Sequence, residues 1–209
     1  MRPLDSPFFP RQRKSNGFSL VELAVVLAVL GLLAGTLITP LAARIDASRR
    51  HAADAMLDDV EHALVGFALL HRRLPCPDAG DGVEHPPPCA FPADSRLPWR
   101  TLALPETDPW GEPWRYRPDK KFTDGSITLD TSPGSNLQIE DHAHGSLTTS
   151  ESRVVAVVYS IGPNRRADGR NAETSTTFEG GEPTPGYDDR LRWLGHPFLI
   201  GRMAQAGRL

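Results

Sequence analysis

The sequence lacks the short motifs around which many enzyme sites are built. It has no Gly-x-Ser-x-Gly turn, no His-Glu-x-x-His helix and no glycine-rich phosphate loop with its lysine. His142 and His144 share a polar stretch, but no third ligand accompanies them. The formal net charge is −3, and after residue 17 no run of basic residues occurs, which gives no reason to expect nucleic-acid binding. We therefore predict neither an enzyme nor a nucleic-acid-binding protein.

One long apolar stretch follows a basic N-terminus. Between residues 18 and 39 the only ionisable side chain is Glu22. About 20 apolar residues at 1.5 Å each are enough to cross a bilayer core of roughly 30 Å. Four basic residues and one acid precede this stretch, and such an excess of positive charge holds a terminus in the cytoplasm. The pattern predicts a single-pass membrane helix over residues 18–39, with the rest of the chain outside.

The start of the apolar stretch resembles a known processing signal. Gly17 lies directly against the charged leader, Phe18 follows it, and Glu22 is the fifth residue after the glycine. This order resembles the prepilin signal of type IV pilins and type II secretion pseudopilins. The resemblance implies that a membrane prepilin peptidase removes the leader, residues 1–17, and methylates Phe18 as the new N-terminus. Cleavage would take away four positive charges and one negative charge, so the formal net charge would fall from −3 to −6.

Physical chemistry also suggests a role for Glu22. A carboxylate inside a membrane helix costs about 3 kcal/mol on insertion scales, so it needs a partner. Cleavage after Gly17 creates one, the ammonium group of Phe18, and two unit charges about 4 Å apart attract by roughly 4 kcal/mol at an effective dielectric of 20. The pair forms either within one helix, where the two residues stand one turn apart, or between neighbouring subunits. The alternative is a signal anchor whose glutamate lies near the membrane interface.

The remaining pattern predicts a long helix followed by a small sheet. Apolar residues recur at helical spacing as far as Phe67, and Pro75 stops the pattern. We expect one spine helix over residues 18–72, bent or loosened near Pro40. Strands are predicted at the end of the segment 107–117 and at residues 126–131 and 154–161, with a polar loop at 132–152 and either a strand or a short helix from residue 189. The predicted fold class is α+β and pilin-like, a long N-terminal helix with a membrane-embedded first half packed on a small antiparallel β-sheet domain.

Residues 75–209 are expected to form a loop-rich periplasmic domain with one disulfide. The only cysteines are Cys76 and Cys89, and an even count in an exported region indicates a disulfide. Closing so short a loop contributes about 3 kcal/mol by the chain-entropy estimate. A metal site built on the two cysteines would need further ligands, and His85 is the only nearby candidate.

A tryptophan-rich segment, residues 107–117, resembles the Asp-Pro-Trp-Gly signature of the major type II secretion pseudopilin and related pilins. We interpret it as a turn that leads into a strand. Asp108 would accept turn hydrogen bonds, and Gly111 would allow the unusual torsions. Its tryptophans are expected to pack in the core or on the turn rather than to bind a ligand.

The loop after the strand at residues 154–161 contains candidate metal ligands. In the secretion pseudopilin, a serine-glycine-aspartate-glycine loop and a following acidic pair hold a calcium ion, so the resemblance implies Asp168, Asp188 and Asp189 as ligands here. Ca²⁺ takes six to eight oxygens, and Asn164 and Asn171 carry further amide oxygens. This loop departs from the family pattern, because an asparagine replaces the usual acid and Arg165 and Arg166 add two positive charges. The alternative is a loop held by Asp and Asn turns and an Arg–Asp pair, without a metal.

The resemblance as a whole implies a structural subunit of an envelope fibre. The expected protein is a pseudopilin of a type II secretion or type IV pilus-like fibre, held in the bacterial inner membrane with its domain in the periplasm until it is assembled through its N-terminal helix. The expected partners are the prepilin peptidase and methylase, other pilin or pseudopilin subunits, and an assembly platform with its separate ATPase. Two alternatives stay open: a minor pilin of a type IV pilus, and a signal-anchored periplasmic enzyme or binding domain.

Overall fold

The computed structural model describes residues 17, 19–89, 95–149, 153–173 and 175–209, without the side chains of residues 34–41. The chain divides into two compact units, Met1–Asp46 and Ala47–Leu209. Within the part of the chain that the structure describes, no helix has both the length and the hydropathy needed to cross a bilayer. Phe18 and residues 1–16 lie outside the described residues, and so do the side chains at 34–39, so the membrane helix over residues 18–39 stays a prediction.

The chain opens on one long helix, α1, which extends from Leu20 to His71. The helix ends where Arg72 adopts the left-handed conformation, with φ of 59°, while its N–H still bonds the carbonyl of Ala68 at 2.8 Å. The backbone is helical at residue 40, whose side chain is not described, and the bend expected there stays a prediction. In the second unit, α1 buries a face that includes Leu57, Val60 and Leu64.

Among the residues that the structure describes, five strands and three short helices follow α1. The strands are β1 Arg115–Pro118, β2 Gln138–Glu140, β3 Val154–Ser160, β4 Thr177–Glu179 and β5 Arg190–Gly195. The helices are α2 Lys120–Thr123, a 3₁₀-helix at Gly169–Ala172 and α3 His196–Gln205. The main sheet is antiparallel with strand order β1-β3-β5, so Val158 lies opposite Tyr116 on one side and Arg192 on the other. A separate pair, β2 and β4, is parallel. This mixed architecture confirms the α+β class and the small antiparallel sheet.

The central strand β3 is buried on both faces, which explains its uninterrupted apolar sequence. One face, with Val155 and Val158, packs in the main core against α1, where the largest buried side chains are Trp114, Tyr116, Phe122, Leu57 and Leu64. The other face, with Val157 and Tyr159, packs with Ile139 of β2 and Phe178 of β4. The end of β3 therefore lies beside the second cluster, where the candidate ligands follow.

The predicted strand at residues 126–131 is wrong. Ile127 is fully buried, but its N–H bonds the carbonyl of Arg72 at 2.6 Å just past the end of α1. The N–H of Thr131 bonds the carbonyl of Thr128 at 3.1 Å and closes a turn. The segment therefore covers the helix terminus instead of joining the sheet. The adjacent stretch, predicted as a loop, contributes β2, and residue 190 begins a strand that α3 follows.

The predicted disulfide is confirmed. Cys76 and Cys89 are bonded, with Cα atoms 5.3 Å apart. Inside the loop that they close, Glu84 accepts two hydrogen bonds from the guanidinium of Arg73, at 2.7 and 2.8 Å, and a third from the N–H of Cys76 at 3.1 Å. The loop is thereby joined to the segment that follows α1.

Candidate functional site

The described part of the processing signal is exposed. Gly17 and Glu22 are both exposed, and Glu22 lies in the first turn of α1, where a carboxylate is favoured by the helix dipole. Phe18, the predicted methylated N-terminus, is outside the described residues. Every described side chain from residue 19 to 33 is exposed, and these include Leu20 at 84% and Leu32 at 71%. So large an exposed apolar surface is typical of a segment that contacts lipid or another protein.

The segment at residues 107–117 forms the predicted turn and strand. One carboxylate oxygen of Asp108 accepts the N–H groups of Trp110 and Glu112, both at 2.9 Å. Gly111 has φ of 88°, which favours glycine. Trp110 and Trp114 are buried, so the structure places them in the scaffold, as expected.

The three predicted acidic ligands lie together. Asp168, Asp188 and Asp189 each place a carboxylate oxygen within 4.8 Å of the other two. Asp168 precedes the 3₁₀-helix, while Asp188 and Asp189 come directly before β5. Two hydrogen bonds from backbone N–H groups to carboxylates join these segments. The N–H of Asp188 donates to Asp168 Oδ2 at 2.9 Å, and the N–H of Asp168 donates to Asp189 Oδ2 at 3.0 Å. Residues about 20 positions apart thus form one acidic cluster, Asp168–Asp188–Asp189.

The two asparagines proposed as ligands position the carboxylates instead. Asn171 donates from Nδ2 to Asp189 Oδ2 at 2.9 Å, while its own oxygen accepts the N–H of Glu179 at 2.9 Å. Asn164 places Nδ2 at 3.0 Å from both oxygens of Asp168, and its Oδ1 accepts the N–H of Arg166 at 2.7 Å. Both amide oxygens are therefore occupied by backbone donors.

Burial disfavours the ionised form of one member of the acidic cluster, Asp189. Asp189 is 1% exposed, and desolvation, opposed by hydrogen bonds from Asp168 and Asn171 and aided by the neighbouring carboxylates, raises its pKa to about 7. Desolvation also raises the pKa of Tyr187, and the charge of Asp189 adds to that effect. Among the described residues, Asp189 Oδ1 is buried and has no hydrogen-bond partner. A buried acceptor of this kind is ordinarily satisfied by a donor, water or ion.

The donors that the cluster offers fit Ca²⁺. The ion prefers carboxylate oxygens, and three carboxylates from two segments converge, among them the buried Oδ1 of Asp189 that has no hydrogen-bond partner. In the sequence, the positive charge of Arg165 counted against a cation at this loop. In the structure its side chain contacts the segment at residues 107–117: Nη2 donates to the carbonyl of Trp110 at 3.1 Å, and Nε lies 3.6 Å from a carboxylate oxygen of Glu112.

Comparison with known proteins identifies the family. Residues 12–38 match the model of the prokaryotic N-terminal methylation motif. The chain is 30% identical to type II secretion system core protein G of Aeromonas hydrophila over 54% of this chain and 79% of the relative, and 30% identical to that of Vibrio cholerae over 57% and 82%. This chain belongs to the type IV pilin and pseudopilin family. A third relative, core protein G of Pectobacterium carotovorum, is 30% identical over 47% of this chain and 64% of its own length, and no solved structure matches significantly.

Sequence reasoning missed several contacts that shape the site of this pseudopilin. The hydroxyl of Ser160 donates to Asp108 Oδ2 at 2.5 Å, which joins the tryptophan turn to the end of β3. Asn171 joins Asp189 to β4, because its Nδ2 also reaches the carbonyl of Glu179 at 3.0 Å. The Asp, Asn and Gly residues around these positions indicated turns, but no local pattern indicated which turns would meet.

Proposed function

We propose that this pseudopilin is a structural subunit of a type II secretion fibre, cut after Gly17, methylated on Phe18 and assembled through α1. The observation that carries the proposal is the combination of a methylation motif at residues 12–38 with relatives named type II secretion core protein G, which match over about four fifths of their own length. These relatives favour type II secretion over the alternative of a minor pilin of a type IV pilus. The role proposed is structural rather than catalytic.

The N-terminal part of α1 would anchor the subunit in the inner membrane before assembly. Its described side chains from residue 19 to 33 are exposed and almost all apolar, a surface that lipid or neighbouring helices would cover. Arg11, Arg13 and Lys14 precede Gly17, which favours a cytoplasmic N-terminus and a periplasmic domain. The partners in this proposal are the prepilin peptidase, neighbouring pseudopilins and an assembly platform driven by a separate ATPase.

The acidic cluster would hold a calcium ion in the periplasmic domain. Asp168, Asp188 and Asp189 supply carboxylates, and the buried, unsatisfied Oδ1 of Asp189 supports a cation over a loop held by hydrogen bonds alone. A bound divalent cation would neutralise these carboxylates and join the loop before the 3₁₀-helix to the start of β5. The ion would thus have a structural function.

The processing proposal is tested by the mass of the protein isolated from native membranes. We expect a mature chain that begins with N-methylated Phe18, and an uncut chain in the Gly17→Ala variant. Ser19→Ala is a matched control, since it changes a small residue two positions away and should leave cleavage intact. A wild-type chain that still begins at Met1 would contradict the proposal and leave an anchored periplasmic domain.

A further inference from the structure

The tryptophan turn and the metal loop, which are separate motifs in the sequence, are joined in the structure. The tryptophan turn is residues 108–112. The metal loop is residues 160–168, and its last residue is Asp168 of the acidic cluster. One connection between them is buried and the other is at the surface. They reach the metal loop at different residues, Ser160 and Arg165.

The buried connection passes through two side chains. Asp108 uses one carboxylate oxygen for the turn N–H groups and the other, Oδ2, for the hydroxyl of Ser160 at 2.5 Å. The same hydroxyl oxygen accepts the N–H of Gly162 at 3.1 Å. Asp108 is 4% exposed and Ser160 is fully buried, so water does not compete for these bonds. The carboxylate therefore fixes the backbone at the start of the metal loop.

The position of Gly162 affects an acidic ligand directly. Gly162 has φ of 68°, and a Cβ at this residue would collide with the carboxylate and the carbonyl of Asp188. The backbone at Gly162 thus forms one wall of the space that the Asp188 carboxylate occupies. A shift of the loop at this point would move that wall.

The surface connection is made by Arg165. Its guanidinium donates to the carbonyl of Trp110 at 3.1 Å and lies 3.6 Å from Glu112, which directs its charge toward the turn. Arg165 has φ of 59°, a left-handed conformation that is uncommon for a side chain of this size. Its neighbour Arg166 is also exposed, and among the described residues no ion pair involves it. The two arginines therefore carry the same charge and are both exposed, but of the two only Arg165 contacts the tryptophan turn through its side chain.

We propose that the tryptophan turn is the outer support of the cation site, with Asp108, Ser160 and Arg165 as positioning residues for the acidic cluster. This inference rests on the proposed calcium site. Residues that orient metal ligands from outside typically change metal affinity by 10–100-fold when they are replaced. Ser160 and Arg165 would act in this way on the loop that carries Asp168 and borders Asp188.

The test is calcium titration of the full-length processed protein in detergent, by isothermal titration calorimetry with CaCl₂. Ser160→Ala breaks the buried connection without changing any charge, so it should weaken calcium affinity about tenfold or more. Thermal unfolding in EDTA is measured in parallel. A purely structural serine would lower the unfolding temperature in EDTA but leave the calcium affinity of the folded protein unchanged.

Arg165→Ala and Arg166→Ala are a matched pair that does not depend on a buried substitution. Loss of a positive charge near a cation site strengthens cation binding. We therefore expect Arg166→Ala to bind calcium as tightly as the wild type or more tightly. Arg165→Ala removes a similar charge but also releases the loop, so its affinity should fall.

The outcomes separate the two proposals. If wild-type protein does not bind calcium, the proposed metal site is wrong and this inference fails with it. If wild-type protein binds calcium while Ser160→Ala and Arg165→Ala bind within about twofold of it, the metal site stands and the support by the tryptophan turn is overturned. If Ser160→Ala does not fold, the opposite effects expected for Arg165→Ala and Arg166→Ala decide the question.

Discussion

Arg190 on β5 donates two hydrogen bonds to Asp54 on α1, from Nε to Oδ1 at 2.9 Å and from Nη2 to Oδ2 at 2.5 Å. The pair joins the edge of the main sheet to the helix across 136 positions of sequence. Two residues further along β5, Arg192 forms an ion pair with Asp58, one helical turn after Asp54. The side chain of Arg190 is 18% exposed and that of Arg192 is 40% exposed. Both arginines thus pair with acids of α1, but the Arg190 pair is less exposed and has two hydrogen bonds, while Arg192 also lies 4.0 Å from a carboxylate oxygen of Glu61.

We expect Arg190→Gln to destabilise the protein more than Arg192→Gln. A bidentate, half-buried arginine–carboxylate pair is stronger than an exposed pair. Arg190→Gln should therefore lower the free energy of unfolding by about 1–2 kcal/mol. Arg192→Gln should lower the free energy of unfolding by about 0–1 kcal/mol. Urea unfolding of both variants in detergent checks the order, with the wild type as reference. Equal losses would show that neither the burial nor the second hydrogen bond makes the Arg190 pair stronger.

Removal of the disulfide should also be costly. Cys76 and Cys89 are 13 positions apart, and the chain-entropy model assigns about 3 kcal/mol to a loop of this length. A Cys76→Ser/Cys89→Ser double variant should therefore lose about 3 kcal/mol of unfolding free energy, seen as a lower urea midpoint. Glu84→Gln is a control that weakens the contact with Arg73 inside the loop while the disulfide stays closed. A smaller loss in Glu84→Gln than in the double variant would assign the effect to the covalent closure.

The structure also predicts a pH dependence centred on His142. Its Nδ1 lies 2.7 Å from a Glu179 carboxylate oxygen and its Nε2 lies 2.8 Å from the carbonyl of Glu182, so only the doubly protonated ring satisfies both acceptors. The bond to Glu179, and then the one to Glu182, raise the pKa of His142 above its ordinary value of 6.5. The stability that this group contributes should be present below pH 6.5 and be lost as the pH rises through the raised pKa.

NMR titration of the histidine ring signals measures the pKa of His142 directly. In Glu179→Gln the carboxylate becomes a neutral amide, so the pKa of His142 should fall toward its ordinary value. Glu182→Gln is the control, because His142 contacts the backbone carbonyl of that residue rather than its side chain. A pKa in the wild type at or below 6.5 would contradict the prediction.

The calcium proposal predicts opposite effects of one substitution in two buffers. Asp189→Asn should abolish the gain in stability from calcium, which for the wild type reaches about 2.7 kcal/mol at 100 times the dissociation constant. In EDTA at alkaline pH the same variant should be as stable as the wild type or more stable. The reason is that the raised pKa of Asp189 marks a buried carboxylate whose ionised form opposes folding. Thermal unfolding with CaCl₂ and with EDTA checks both, and Asp141→Asn, in a turn outside the acidic cluster, serves as the control.

Sequence patterns predicted the helices and strands that are determined by the pattern of neighbouring residues. The β-branched run at Val154–Ser160 is a strand because both faces of β3 are buried, and the periodic apolar residues before Pro75 form α1. Ile127 shows the limit of this reasoning. Its neighbours favour a strand, but its N–H bonds the Arg72 carbonyl, a partner 55 residues away that no local pattern indicates.

The acidic cluster was predicted only through resemblance to a family. Asp168 lies 20 residues before Asp188, and no spacing rule joins them. The support from Ser160 and Arg165 could not be predicted even in this way, because it depends on where the tryptophan turn packs against the end of β3. The charge of Arg165 counted against a cation because sequence gives the charge of a residue but not the direction of its side chain.

The last prediction concerns Glu22, the one ionisable side chain between residues 18 and 39. Glu22→Ala should be processed normally, since Gly17 and Phe18 are unchanged, yet fail to enter fibres because the new ammonium group of Phe18 loses its carboxylate partner. Glu22→Asp is the matched control, which keeps the charge on a shorter side chain and should retain part of the assembly. Mass measurement of the membrane fraction reports processing, and immunoblotting of sheared fibres reports assembly. If Glu22→Ala entered fibres as efficiently as the wild type, the carboxylate would have no part in setting the register between subunits, and the exposed apolar side chains of α1 would have to supply it.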